Sequence, residues 1–327
     1  MLLAAEPALA DSLTQYFING VTFGALIALI ALGYTMVYGI VELINFAHGD
    51  LFMLGSYVCL SLLAILGFGG LGYDATVNTT NPYLIACVLL GCGLVAVAFC
   101  AGLNFAVDFV VYRPLRNAPK LAPLVSAIGV SFIFMNAGLF WGGPQDVRFP
   151  ELIPNTNLLG VDAQGNDYPI RFTAKDVLIL GATIPLMLLL TYFVQATRLG
   201  KAMRATAQNP TAAALMGINT NFVIGITFVI GGGLAGAASL IYAVTVNTIS
   251  YQMGFQNGLY AFTAAVLGGI GRIPGAVLGG LVIGLVRSFG SPYVGEMWTN
   301  ALVFGILILI LVFRPTGLLG TRTREKV

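Results

Sequence analysis

Apolar runs long enough to cross a membrane alternate with short polar stretches along the whole chain. Runs at Tyr16–Ile40, Leu51–Leu66, Tyr83–Val111, Leu121–Trp141 and Lys175–Thr197 precede a polar island, and Phe222–Val246 follows it. Three more close the sequence: short ones at Gly258–Ile270 and Ala276–Phe289, then Met297–Phe313. A helix rises about 1.5 Å per residue, so about 20 apolar residues cross the hydrocarbon layer. The pattern predicts an all-α polytopic membrane protein with about nine transmembrane helices, or roughly eight to ten given the short seventh and eighth runs. Residues 16–320 are then the transmembrane domain, 1–15 an N-terminal extracytoplasmic segment and 321–327 a cytoplasmic tail. Met1–Ala10 ends in Ala-Leu-Ala like a signal-peptidase site, yet it lacks the basic and apolar regions of a signal peptide.

The polar interruptions are uneven. Arg198–Asn221, RLGKAMRATAQNPTAAALMGINTN, holds Lys201 and Arg204 in its first half. Asn209-Pro210 reads as an N-cap followed by proline at the first helical position, and Gly217 suits the left-handed residue past a helix end. A short helix over Thr211–Met216 follows, too short to span. Its Ala212, Ala213 and Ala214 let a partner surface approach the backbone, although a solvated connector is the plainer reading. The second interruption, Glu42–Asp50, sets Asn45, His48 and Asp50 between two spans, with Gly49 permitting a break. Irregular backbone at membrane depth is tolerated only against protein or water, whereas a cytoplasmic turn holds the same residues in solvent. The buried reading expects a cysteine at 45 or 48 to react with aqueous reagents in one access state only.

Basic residues give the orientation. Loops 112–120 and 198–204, Arg272 and the tail from Arg314 are expected in the cytoplasm, and 67–82, 142–174, 247–257 and 291–296 outside. Nine spans then run from an outer N-terminus to an inner C-terminus. Spans one to four and six to nine flank a lone fifth, forming two inverted quartets. Broken helices near 42–50 and 247–257 correspond between them. Inverted repeats place a substrate path at their interface beside discontinuous helices. The candidate pathway residues are Asn45, His48, Asp50, Asn247, Gln256 and Asn257. Small-residue pairs four apart, Gly20/Gly24, Gly275/Gly279 and Gly280/Gly284, mark close helix contacts.

Composition removes other classes. Hydrophobic residues make up 58% and charged residues 9% of the chain, with mean hydropathy +0.91, far from the balance of a soluble domain. A net charge of +2 gives no electrostatic footprint for nucleic acid. Cys59, Cys87, Cys92 and Cys100 lie in apolar runs without metal or redox spacing, and His48 is the only histidine, so no His-based metal site is expected. There is no phosphate-binding loop; Leu199-Gly200-Lys201-Ala202 lacks the loop and the hydroxyl. An ion-coupled carrier would need carboxylates or a relay within its spans, and these hold Asp108 near a cytoplasmic end and Arg287 near an outer end. A membrane enzyme would need convergent acid, base or metal ligands, which one histidine and scattered carboxylates do not supply. No charged pocket for an ammonium and a carboxylate is evident.

Several motifs together resemble one family. They are Asn45-Phe-Ala-His-Gly-Asp50, Leu54-Gly-Ser-Tyr57, Tyr112-Arg-Pro-Leu-Arg116, Ser126-Ala-Ile-Gly129, Arg204-Ala-Thr-Ala207 and Gly217-Ile-Asn219. Ala261-Phe-Thr-Ala-Ala-Val-Leu-Gly-Gly-Ile-Gly271, Ile273-Pro-Gly-Ala276 and Arg314-Pro-Thr-Gly317 complete the set. In this order they resemble permease subunits of branched-chain amino acid ABC importers, LivH type, from about Tyr16 to Leu319. The resemblance implies a bacterial inner-membrane complex with a second, LivM-like permease, two ATPase subunits and an extracytoplasmic substrate-binding protein. It implies that ATP binds the partner subunits, with no cofactor on this chain. It also makes 198–221 a coupling loop that docks the ATPase, through Lys201, Arg204, Ala205, Asn209, Ala213, Gly217, Ile218 and Asn219. Segments 68–82 and 142–174 look longer than the family's usual ones. Relatives with the same motifs carry urea, short amides or other neutral amino acids, so the substrate stays open at this point.

Overall fold

The computed structural model describes residues 9–41, 45–77, 81–116, 118–119, 121–160, 169–314 and 316–320. The N-terminal residues 1–8, Glu42, Leu43 and Ile44 of the expected break, Lys120, Pro315 and the tail 321–327 lie outside the described residues. The helices are α1 (Leu9–Val41), α2 (Ala47–Ile65), α3 (Pro82–Val107), α4 (Arg113–Leu115), α5 (Leu121–Gly142), α6 (Ala174–Ala196), α7 (Arg198–Gln208), α8 (Pro210–Leu215), α9 (Thr220–Val246), α10 (Met253–Gly268), α11 (Ile273–Val294) and α12 (Glu296–Phe313). A π-helical turn, Asp108–Tyr112, joins α3 to α4, so the third span continues through Leu115 instead of ending at Val111.

Helix starts follow local chemistry. The Asn81 side chain accepts from Tyr83 N ahead of α3, with Pro82 in the first turn. Thr173 and Asp176 form a reciprocal capping box on α6, which satisfies two otherwise orphaned donors. Asn219 caps α9 by accepting from Phe222 N.

Seven helices among the described residues are long and apolar enough to cross a membrane. They include the first six predicted runs. The eighth run is longer than its apolar core suggested, because α11 begins at Ile273 and continues to Val294. The remaining two runs form α10 and α12, which are shorter. The fold also contains one feature outside an all-α plan. Strands β1 (Val147–Arg148) and β2 (Thr248–Ile249) pair antiparallel, Val147 opposite Ile249. Asn247 takes a left-handed backbone (φ 56°) at the end of α9 and turns the chain into β2. Phe149 N donates to Asn247 O at 2.9 Å, and the Phe149 side chain is buried.

Burial sorts the helices into an inner and an outer set. The most apolar stretches of α1 and α2 are 83% and 78% buried in protein, against 28% for α3 and α5 and 17% for α6. A helix that is apolar all round and still exposed needs a nonaqueous surrounding. Lipid meets that need for α3, α5 and α6.

Inner helices touch backbone to backbone. A Cβ at Gly280 of α11 would lie 2.8 Å from both the Ala28 Cβ and the Gly24 carbonyl oxygen of α1; one at Gly20 would lie 3.0 Å from Leu285 Cα. Gly275 and Gly279, on another flank of α11, meet Gly268 and Ala264 of α10. The two glycine pairs of α11 thus serve two different neighbours, as their spacing predicts.

Gly280→Leu is expected to force α11 off α1 and abolish most assembled complex, because backbone atoms there cannot yield as side chains do. Gly305→Leu on α12, which has open space around its Cβ direction, is the control and should assemble normally. Size-exclusion yield of detergent-extracted protein checks both.

Candidate functional site

The six candidate pathway residues occupy three places. Asn45, His48 and Asp50 are all buried, at 3%, 1% and 0% exposure, so they do not form a solvated turn in this conformation. Asn45 Nδ2 donates to Asn104 Oδ1 at 3.1 Å, Asn104 Nδ2 donates to the Phe228 carbonyl at 2.7 Å, and the Tyr112 hydroxyl donates to Asn45 Oδ1 at 3.1 Å. Phe228 lies eight residues into α9, so this network sits about 12 Å from that helix's start. The π-helical turn carries Tyr112 into it. Such turns recur at functional positions because the extra residue re-aims a side chain.

His48 fits against Gly33 of α1 and stacks edge-on to Tyr34, ring centroids 4.7 Å apart. Its ring faces the Ile30 carbonyl, but neither nitrogen completes a well-formed hydrogen bond among the described residues. Asp50 accepts a short hydrogen bond from the Ser131 hydroxyl, and its other oxygen has no partner among the described residues. Gly49 meets α10: a Cβ there would lie 2.8 Å from Gly258 Cα, and one at Gly254 would lie 2.8 Å from Asp50 Cα. The starts of α2 and α10, the two segments expected to hold breaks, therefore pack on each other.

Asn247 lies apart, beside the β1–β2 ribbon. Its Nδ2 donates to Glu151 Oε1 at 3.2 Å at the edge of a cavity of about 570 Å³ lined also by Asp146, Arg148 and Lys175. Gln256 and Asn257 line a different cavity, of about 490 Å³, with Tyr260, Arg287, Thr299 and Asn300. Gln256 is exposed, while Asn257 is buried and donates to the Met253 carbonyl at 3.0 Å. The Arg287 guanidinium carbon lies 4.3 Å from the Phe23 ring centre and 5.6 Å from that of Tyr260.

The 198–221 island is two helices. The expected short helix is α8, one residue earlier than predicted at each end, and Asn209 Oδ1 accepts from Ala212 N at 2.9 Å. Gly217 has φ +83°, and Ile218 N reaches back to the Ala213 carbonyl at 3.0 Å, closing the helix end with a six-to-one bond. The first half, read only as a polar stretch, is α7. Its Met203 and Thr206 are buried against the bundle.

Arg204 Nη1 donates to the Val194 and Gln195 carbonyls at 2.6 and 3.1 Å, so this arginine closes the end of α6. Lys201 is exposed, and Ala205 and Ile218 are half-buried. Ala213 is buried, so it packs inward and does not offer its side chain to a partner; Ala212 and Ala214 face out. The largest exposed apolar groups are Leu215 and Met216, each 84% exposed. Sequence reading passed over these two because it followed charge and small size. It also passed over Asn104, Tyr112 and Ser131, although polar residues inside apolar runs are a usable signal.

Comparison with known proteins follows this geometry closely in extent. Residues 16–312 match the family described as branched-chain amino acid transport system / permease component. The chain is 40% identical over 313 residues to the high-affinity branched-chain amino acid transport system permease protein BraD of Pseudomonas aeruginosa, covering 96% of this chain and 97% of that one. It is equally similar, with the same coverage, to the permease protein LivH of Escherichia coli K12. A probable LivH of Methanocaldococcus jannaschii is 27% identical over 92% of this chain and 91% of its own. No solved structure matches.

Asn45→Ala removes the partner shared by the Tyr112 hydroxyl and Asn104, leaving buried polar groups unpaired at a cost of roughly 1–3 kcal/mol. A lower midpoint of thermal inactivation is expected, with partial recovery in Asn45→Ala/Tyr112→Phe. No recovery would show that the hydroxyl finds another partner.

Proposed function

The chain belongs to the permease-component family of branched-chain amino acid transport systems, and on that premise we propose that it is the membrane-spanning subunit of a binding-protein-dependent ABC importer for branched-chain amino acids. The observation that carries the substrate is the 40% identity, across 96% of the chain, to permeases named for high-affinity transport of those amino acids. The rest of the complex is read from the same kinship. A LivM-like second permease, two ATPases that hold the ATP and an extracytoplasmic binding protein assemble with this chain in the bacterial inner membrane.

In this reading α10 and α12 also cross, giving nine spans, with α7 and α8 in the cytoplasm and the β ribbon outside. The contact between the starts of α2 and α10 supports two inverted quartets, because corresponding broken helices of such repeats meet near the bilayer centre. ATPase closure moves α8 and rocks the quartets, so that Asn45, His48 and Asp50, enclosed in the conformation described, open to the path in the other state. Asn247, Gln256 and Asn257 line it from the outer side. The coupling contact is made chiefly by Leu215 and Met216, with Lys201 beside them, on the frame built by Arg204, Ala205, Asn209, Ala213, Gly217, Ile218 and Asn219.

Proteoliposomes holding the complete importer are expected to accumulate leucine, isoleucine and valine only with ATP and binding protein present. Uptake without ATP, or ATP-driven uptake restricted to other solutes, would overturn the proposal. Leu215→Asp/Met216→Asp places two charges on exposed positions, where folding is usually altered by only about 0.5 kcal/mol. Permease abundance should hold while substrate-stimulated ATP hydrolysis and uptake collapse. Wild-type coupling in this variant would remove α8 from the ATPase contact.

A further inference from the structure

The cavity that takes Gln256 and Asn257 has a polar wall where a lipid-facing surface should be apolar. Arg287 lies 14 residues beyond the start of α11, about 21 Å along the helix and so within membrane depth. Gln256 of α10 and Asn300 of α12 are exposed beside it. Charged and amide side chains at such depth face protein or a water-filled space, since lipid cannot hydrogen-bond them. Phe23 and Tyr260 hold the guanidinium by their π faces. That mode of holding fixes a cation in place and leaves the in-plane N–H fork directed outward from the rings, the edge that matches a carboxylate. The Tyr260 hydroxyl donates to Asn300 Oδ1, which orders the polar rim, and Phe255 and Phe304 supply apolar wall.

We propose that this cavity, between α9, α10, α11 and α12, is a subsite for the carboxylate of an amino acid in transit, with Arg287 as its cationic partner. The inference rests on the reading of the chain as an amino acid permease and adds a chemical handle within the permease itself. The amide side chains of Gln256 and Asn257 face the ammonium end, and the aromatic wall faces the branched side chain. At about 490 Å³ the space admits one such amino acid with water.

The test uses the complete importer in nanodiscs, carrying Cys87→Ala, which removes the one exposed native thiol among the described residues, and Phe255→Cys as a reporter in the cavity. Labelling by a charged thiol reagent is followed without binding protein. Millimolar leucine is expected to slow labelling and leucinamide, which lacks the carboxylate, to leave it unchanged. Arg287→Gln should abolish the protection, and Arg287→Lys should raise the half-protecting leucine concentration about tenfold, since a point charge replaces the fork. Equal protection by leucinamide, no protection by leucine, or protection that persists in Arg287→Gln would each overturn the subsite. Should Arg287→Gln fail to assemble, the leucine–leucinamide comparison and Arg287→Lys decide alone. Wild-type uptake of leucine without protection overturns the subsite and spares the importer reading. Failure of wild-type uptake with carboxylate-dependent protection does the reverse.

Discussion

Backbone contact between helices is the constraint on which this structure depends. In a lipid surrounding, helices gain little by hiding apolar side chains from one another, so association rests on close packing and on hydrogen bonds. The Gly20/Gly24 pair of α1 meets Gly280/Gly284 of α11, Gly275/Gly279 meets α10, and Gly49 meets Gly254 and Gly258. These approaches make α1 the axis of the molecule and bring α2 against α10. Everything polar in the interior is arranged around helices already that close. Without the missing side chains at Gly33 and Gly49, neither the His48 ring nor the start of α2 would fit where it does.

The buried polar groups follow from that closeness. Asn45, Asn104 and Tyr112 bond to each other and to the Phe228 carbonyl, tying the start of α2 to α3 and α9. Such a network is costly when broken and inexpensive when complete, which suits a junction that must hold one arrangement and then exchange it for another. Asp50 and His48 are less completely bonded, and they lie where α1, α2 and α10 converge. A transporter that rocks two halves would place its least satisfied groups at the seam that opens. The cytoplasm-facing helices of the proposed coupling loop are built differently. Caps, one arginine and buried Met203 and Thr206 fix them to the bundle, while Leu215 and Met216 project.

Much of this was legible before any coordinates. The first six apolar runs became helices because length and uniform apolarity admit few other outcomes in a membrane. The α8 helix was placed to within a residue because Asn209, Pro210 and Gly217 each act within one turn. Glycine pairs four apart declared packing flanks for the same reason. The family was legible from motifs spread along the chain, and the matched region, 16–312, agrees with their extent.

What the sequence could not settle depends on partners distant in the chain. Arg204 reads as a surface charge until the end of α6 stands beside it, and Ala213 reads as a docking surface until the bundle covers it. The ribbon of 147–148 with 248–249 joins segments about a hundred residues apart, beyond any local propensity. Arg287 is a lone charge in the sequence; only the tertiary structure sets it between Phe23 and Tyr260 and beside the amides of Gln256 and Asn300. Periodicity, caps and small-residue spacing are fixed within a few turns of one helix, so the sequence by itself determined the membrane class, the helices and their contact flanks. Burial, bonding partners and cavities are properties of helices brought together, and those the tertiary structure alone decided.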